Sequence, residues 1–161
     1  MLDLSLFILI LTADRVTKVL VPHFMDLYQS IPVIPSFFHL TYIRNTGGAF
    51  GILAGWDSPL KRIFFVAASL GALLLLLHLY RHAVRDGSRP VRLALTAIGA
   101  GALGNLYDRL FSGGVVDFID IFIGSLHYPS FNVADSAITV GAAALLFLYL
   151  TGHIDESNDQ E

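Results

Sequence analysis

The stretch Ile63-Phe64-Phe65-Val66-Ala67-Ala68-Ser69-Leu70-Gly71-Ala72-Leu73-Leu74-Leu75-Leu76-Leu77 is interrupted by one polar side chain, Ser69. A helix of a soluble protein keeps a polar face, with charged or amide residues recurring every third or fourth position. This stretch has no such face, so its solvent is lipid. A spanning helix needs roughly 20 mostly apolar residues, and four windows meet that length, at about 2–25, 60–80, 91–110 and 133–151. The whole chain agrees: 161 residues, 55 % hydrophobic and 14 % charged, with mean hydropathy +0.66, fall outside the range of ordinary soluble domains. The expected fold class is an all-α membrane protein with four transmembrane helices. A small β-type element and a re-entrant or surface loop are expected on its outer face, all within one integral-membrane domain over 1–161.

Arginine placement sets the orientation. Arg81, Arg85, Arg89 and Arg92 crowd the connection between the second and third windows, which predicts that this connection is cytoplasmic. By alternation both termini are then cytoplasmic, and the longer connections, about 26–59 and 111–132, lie outside. Lys61 and Arg62 argue weakly the other way. The first outer connection carries Phe37-Phe38-His39-Leu40-Thr41-Tyr42-Ile43, aromatic and β-branched, before the turn signal Asn45-Thr46-Gly47-Gly48, which predicts a strand or hairpin on the membrane surface. In the second, Val115 to Ile123 is apolar around Asp117 and Asp120 and too short to span, so it is expected to dip into the interface. The apolar stretch Leu4 to Leu11 lacks a basic leader and a small-residue cleavage site and reads as part of a retained helix. The polar tail, 152–161, carries Asp155, Glu156, Asp159 and Glu161. No basic block points to nucleic acid. The absence of cysteine excludes a thiolate nucleophile and a cysteine metal site.

Ionisable groups within membrane segments cost roughly 2.5–3.5 kcal/mol each on insertion scales, so each needs a partner or a task. Asp135, with Asn132 and Thr139 on its face, sits near the outer end of the fourth window; Asn105, Asp108 and Arg109 sit near the outer end of the third; Asp117 precedes the fourth. All are expected at one depth, the outer boundary of the hydrocarbon. Two carboxylates close together in a low-dielectric site share one proton, and such a pair can activate water and polarise a peptide carbonyl without metal, thiol or serine. The same two aspartates could instead be a helix cap and a surface charge. Two other classes also use such residues: a proton-coupled transporter relaying through Asp14, Asp117 and Asp135, and a Mg2+-dependent lipid-phosphate enzyme using the Asp117/Asp120 spacing.

Five blocks together resemble the lipoprotein signal peptidases (signal peptidase II, aspartyl peptidase family A8). They are Asp14-Arg15-Val16-Thr17-Lys18, Asn45-Thr46-Gly47-Gly48-Ala49-Phe50, Gly101-Ala102-Leu103-Gly104-Asn105-Leu106-Tyr107-Asp108-Arg109, Gly114-Val115-Val116-Asp117-Phe118 and Phe131-Asn132-Val133-Ala134-Asp135. They follow the family's order across nearly the whole chain. The resemblance implies that Asp117 and Asp135 form a catalytic dyad. Asp14, Lys18, Asn45, Gly47, Gly104, Asn105, Arg109, Asn132 and Ala134 would bind substrate or support the site. It further implies a diacylglyceryl-modified prolipoprotein as substrate, cut on the N-terminal side of the lipidated cysteine, and inhibition by cyclic peptides such as globomycin. No cofactor or metal is implied, the setting is the bacterial inner membrane among its lipids, and nothing requires a second chain, so a monomer is expected.

The remaining residues carry plainer expectations. Asp14 and Lys18, four apart, can neutralise each other along one helix. Arg15 points off that face, and Arg109 can pair with Asp108 or hold a substrate carbonyl. Gly99, Gly101 and Gly104, with Ala97 and Ala100, form a small-residue face suited to close helix packing. His78 and His82 lie among arginines that would repel a metal ion.

Overall fold

The computed structural model describes residues 1–48 and 58–152. Ala49 and Phe50 of the second block, and the acidic tail from His153 onward, lie outside the described residues.

Four helices carry the fold: α1 (Leu2–Phe24), α2 (Pro59–Arg85), α3 (Arg89–Phe111) and α4 (Val133–Leu150). Their ends follow local chemistry. Ser58 caps α2, its hydroxyl accepting from the Leu60 N–H at 3.2 Å with Pro59 opening the helix. Asn132 and Asp135 form a reciprocal capping box at the start of α4. Among the described residues two helices, α2 and α4, are long and apolar enough to cross a membrane. The other two carry charges along their length, Asp3, Asp14, Arg15 and Lys18 in α1 and Arg89, Arg92, Asp108 and Arg109 in α3. Hydropathy therefore supports two spans and not the expected four.

The chain is also less purely helical than its composition predicts. Strands β1 (Ser30–Ile34), β2 (Phe38–Asn45), β3 (Val115–Ile123) and β4 (Leu126–His127) form one antiparallel sheet in sequence order. The segment expected to be a re-entrant or surface loop is thus mostly strand. Its run of Val, Phe and Ile fits a pleated surface, and β2 supplies the neighbouring ladder. Met25, Tyr42, Val116 and Phe118 make a small core beneath the sheet, joining it to the end of α1.

Helix α3 is central, packing on α4, α2 and α1, whereas α1 and α2 make almost no direct contact. Its fit against α4 depends on glycine on both sides. A Cβ on Gly101 would run into the Ala134 carbonyl oxygen, and one on Gly141 would stand 2.6 Å from Ile98 Cγ1 and 2.8 Å from the Ala94 carbonyl oxygen. Gly104 lies under Asp14, where a Cβ would come 2.5 Å from Oδ2. Gly99 is different: a Cβ there meets nothing within 4 Å, so it does not belong to the packing face the sequence suggested.

Because backbone cannot yield as a flexible side chain can, Gly101→Val should destabilise the protein by about 1–3 kcal/mol through overpacking. Gly71→Ala, which adds a Cβ in open space on α2, should be neutral or stabilising by up to ~1 kcal/mol. Thermal unfolding in detergent compares the two; equal melting points would contradict this account of the α3–α4 contact.

Candidate active site

The sheet brings Asp117 to α4. Between Leu40 and Ile43 the β2–β3 register shifts, so that Leu40 faces Ile119 but Ile43 faces Asp117. Two residues of β2 then oppose one of β3, a bulge of the kind that re-aims a strand. Beside it, the N–H groups of Phe118 and Ile119 donate to the Phe131 carbonyl at 3.0 and 2.9 Å, and the Phe131 N–H returns to Ile119 at 3.1 Å. The middle of β3 is thereby tied to the residue preceding Asn132. Asn132 Nδ2 donates to Asp117 Oδ1 at 2.7 Å.

Asp135 is held by the first turn of its own helix and by α3. Its Oδ2 accepts the Asn132 backbone N–H at 3.2 Å, and its own N–H donates to Asn132 Oδ1 at 3.0 Å. Its Oδ1 accepts from Asn105 Nδ2 at 2.7 Å. The cap anticipated as a rival to catalysis is real, but Asp135 makes it with one oxygen and meets Asn105 with the other.

Three asparagine amides face the two carboxylates, and each is oriented from behind by a group that can only donate. Lys18 Nζ meets Asn105 Oδ1 at 2.8 Å, the Asp135 N–H meets Asn132 Oδ1, and the Gly47 N–H meets Asn45 Oδ1 at 2.9 Å. With each oxygen engaged, each NH2 must point toward a carboxylate. Asn45 Nδ2 accordingly reaches Asp117 Oδ2 at 3.0 Å. The Gly47 backbone thereby closes a tight turn on Asn45.

Behind the asparagines lies a buried ionic cluster. Lys18 Nζ stands 2.9 Å from Asp14 Oδ1 and 2.8 Å from Asp108 Oδ2, and Arg15 bridges the same two carboxylates at 3.0 and 2.8 Å. Two cations and two anions cancel. Asp14 is fully buried and also accepts the Ala134 N–H at 3.1 Å, satisfying an orphan donor in the first turn of α4 one residue before Asp135. Ala134 is itself fully buried, and its closeness to Gly101 and Gly104 leaves no room for a larger side chain.

Some expectations need correction. Asp108 pairs with Lys18 and Arg15 of α1, which it faces, and not with Arg109. Arg15, expected to stand aside, closes the cluster and lies 4.8 Å over the Tyr107 ring. Neither is among the residues expected to support the site, although spacing groups Asp108 with Asn105 and Arg109 at the same depth. Asp120 belongs to another network, accepting from Thr41 at 3.0 Å and pairing with His127 at 2.9 Å.

Arg109 leans over Phe65 at 5.5 Å, and its charge acts on both Asp135 and Asp117. It lines, with Asn45, Thr46, Lys61, Phe65 and Gly114, a cavity of about 460 Å3 that is lined by neither aspartate and is linked to Asp117 through Asn45. Asp117 is 2 % exposed. Burial pushes its carboxyl up to about 6, with the Asp135 charge adding to the rise and the amides of Asn45 and Asn132 opposing it.

Comparison with known proteins identifies the class. The family model for signal peptidase II matches residues 6–151. A lipoprotein signal peptidase of Desulforapulum autotrophicum is 45 % identical over 139 residues, covering 86 % of this chain and 85 % of its own. Another, from Geobacter metallireducens, is 43 % identical over 149 residues, covering 92 % and 90 %. A solved structure described as a bacterial membrane enzyme superposes with TM-score 0.83 at 32 % identity, covering 99 % of this chain and 93 % of that one. A second gives 0.79 at 31 %, covering 92 % of each. The chain belongs to the signal peptidase II family, a family of membrane peptidases. That membership decides for the peptidase reading over the transporter and the Mg2+-dependent lipid-phosphate enzyme.

The cluster makes a stability prediction. Lys18→Met leaves Asp14 and Asp108 with Arg15 alone and should cost about 3–5 kcal/mol, the penalty for breaking a buried pair. Adding Asp108→Asn should restore part of that loss. Melting temperatures of the single and double variants test the coupling; strictly additive losses would argue against it.

Proposed function

We propose that the chain is an aspartic endopeptidase of the bacterial inner membrane, acting on diacylglyceryl-modified prolipoproteins and cutting N-terminal to the lipidated cysteine. Asp117 and Asp135 are its dyad. The observation that carries the reading is the pairing of two carboxylates through Asn132, each also held by an outward amide, Asn45 for Asp117 and Asn105 for Asp135. All four helices span, as one integral-membrane domain, with both termini cytoplasmic and the dyad near the outer leaflet. The enzyme works as a monomer among membrane lipids without metal or other cofactor, and cyclic peptides such as globomycin occupy its substrate site.

Asp135, at a helix N-terminus whose dipole favours negative charge, carries the negative charge of the pair. Asp117 carries the proton. Asp135 removes a proton from a water molecule as the water oxygen attacks the scissile carbonyl carbon, and Asp117 gives its proton to the carbonyl oxygen. The gem-diol collapses with cleavage of the C–N bond as Asp135 gives its proton to the departing nitrogen and Asp117 takes one from a gem-diol hydroxyl, which returns the pair to its singly protonated state. Arg109, at the cavity wall, donates to a substrate backbone carbonyl and holds it in register. Lys18, Asp14, Gly104 and Ala134 act through the groups they position.

Purified protein should cleave a diacylglyceryl-modified precursor in EDTA, whereas Asp117→Asn and Asp135→Asn should each reduce cleavage by at least about a thousandfold with melting behaviour retained. Activity surviving in both variants would sink the dyad. The pH dependence has a definite sign. Because the pair must hold one proton and Asp117 releases its own at about 6, kcat/KM should fall as pH rises through that value, approaching tenfold per unit. A profile flat from pH 5 to 8 would contradict the assignment of the proton to Asp117.

A further inference from the structure

At the end of the helices remote from the aspartates, where α1 and α2 meet through the Tyr80–Asp3 hydrogen bond but otherwise pack little, lies a cavity of about 370 Å3, within the size range of small-ligand pockets, about 300–1,000 Å3. Phe7 of α1, Leu73 and Leu77 of α2, and Gly99 and Leu103 of α3 face it. Gly99 presents open space there, since a Cβ would meet nothing within 4 Å.

The polar groups at its rim are already engaged. Tyr80 donates to Asp3 at 2.9 Å, Arg92 Nε stands 3.2 Å from the same carboxylate, and the Thr96 hydroxyl donates to the Arg92 carbonyl at 2.8 Å. Water needs two to four polar partners to stay in a cavity, and this one offers few. Its occupant is apolar. The i, i+4 row of α2 that lines the cavity as Leu73 and Leu77 continues past its mouth as Arg81 and Arg85, both exposed and without an ion pair among the described residues. An apolar slot ending in two available guanidinium groups is complementary to a lipid with a negative headgroup.

We propose that the slot between α1, α2 and α3 binds one acyl chain of an anionic phospholipid, whose phosphate is held by Arg81 and Arg85. The lipid fills the gap between α1 and α2 from the leaflet at the arginine-bearing end. The site is separate from the dyad, and its test does not read peptidolysis.

Full-length protein purified in mild detergent is examined by native mass spectrometry with added phosphatidylglycerol or phosphatidylethanolamine. The wild type should retain phosphatidylglycerol in preference. Gly99→Leu, which fills the slot from the α3 side, should lower that retention about tenfold. Arg81→Gln with Arg85→Gln, both on exposed positions, should erode the preference by about fivefold per arginine. Should Gly99→Leu yield too little folded protein, Gly99→Ala must give an intermediate loss. Equal retention of the two lipids by the wild type, or retention unaffected by Gly99→Leu, overturns the proposal. So does phosphatidylglycerol binding that emerges only after residues 153–161 are removed, which would assign the arginines to the acidic tail.

Discussion

The ammonium of Lys18 sits where three helices must agree. It lies within 3.0 Å of both Asp14 oxygens and 2.8 Å from Asp108 and from Asn105 Oδ1, at 5 % exposure. A charge so far from water is tolerable only when matched, and the matching groups are drawn from α1 and α3. Asp14 then reaches across to the Ala134 N–H of α4. One cation therefore fixes the mutual position of α1, α3 and α4. Because its contact with Asn105 dictates which end of that amide faces Asp135, it also sets the polarity of the site.

The glycines make this arrangement sterically available. Lys18 and Asp14 can stand between α1, α3 and α4 only if α3 and α4 approach to backbone contact, which Gly101 and Gly141 allow, and only if Gly104 leaves room for the Asp14 carboxylate. Close approach through small residues is how helices associate in a solvent that gives no hydrophobic reward for burying leucine. The sheet answers a different need. A carboxylate on a free loop would have no defined distance from Asp135, whereas the β2–β3 bulge and the Phe131 hydrogen bonds hold Asp117 against the cap of α4. Held there, it is buried, and that burial keeps its proton near neutrality.

The lipid-facing character of the chain and the cap at the start of α4 were legible in sequence because they depend on short-range patterns, whereas the choice of candidate site residues came from the family resemblance. The apolar run 63–77 needs no partner to be recognised, and the spacing of Asn132 from Asp135 is itself a cap signature. Legibility failed where partners are distant. Val115–Ile123 reads as an apolar segment too short to span, and only the ladder with β2 makes it a strand. Arg15 was set aside because it lies off the Asp14–Lys18 face, yet it reaches its neighbour Asp14 and, on α3, Asp108. Gly99 and Gly101, two residues apart, read alike in sequence, yet one faces a cavity and the other the Ala134 carbonyl.

By itself, then, the sequence determined the solvent, the helical periods and the inventory of carboxylates, amides and arginines, because composition and spacing act within one element. The tertiary structure decided which of these groups meet. It turned Asp108 toward Lys18 instead of Arg109, set Asp120 apart with His127, and joined Asp117 to Asp135 through Asn132. The reason is physical: the cost of burying a charge or an amide is set by what lies across the gap, and that is fixed by packing between segments far apart in the chain.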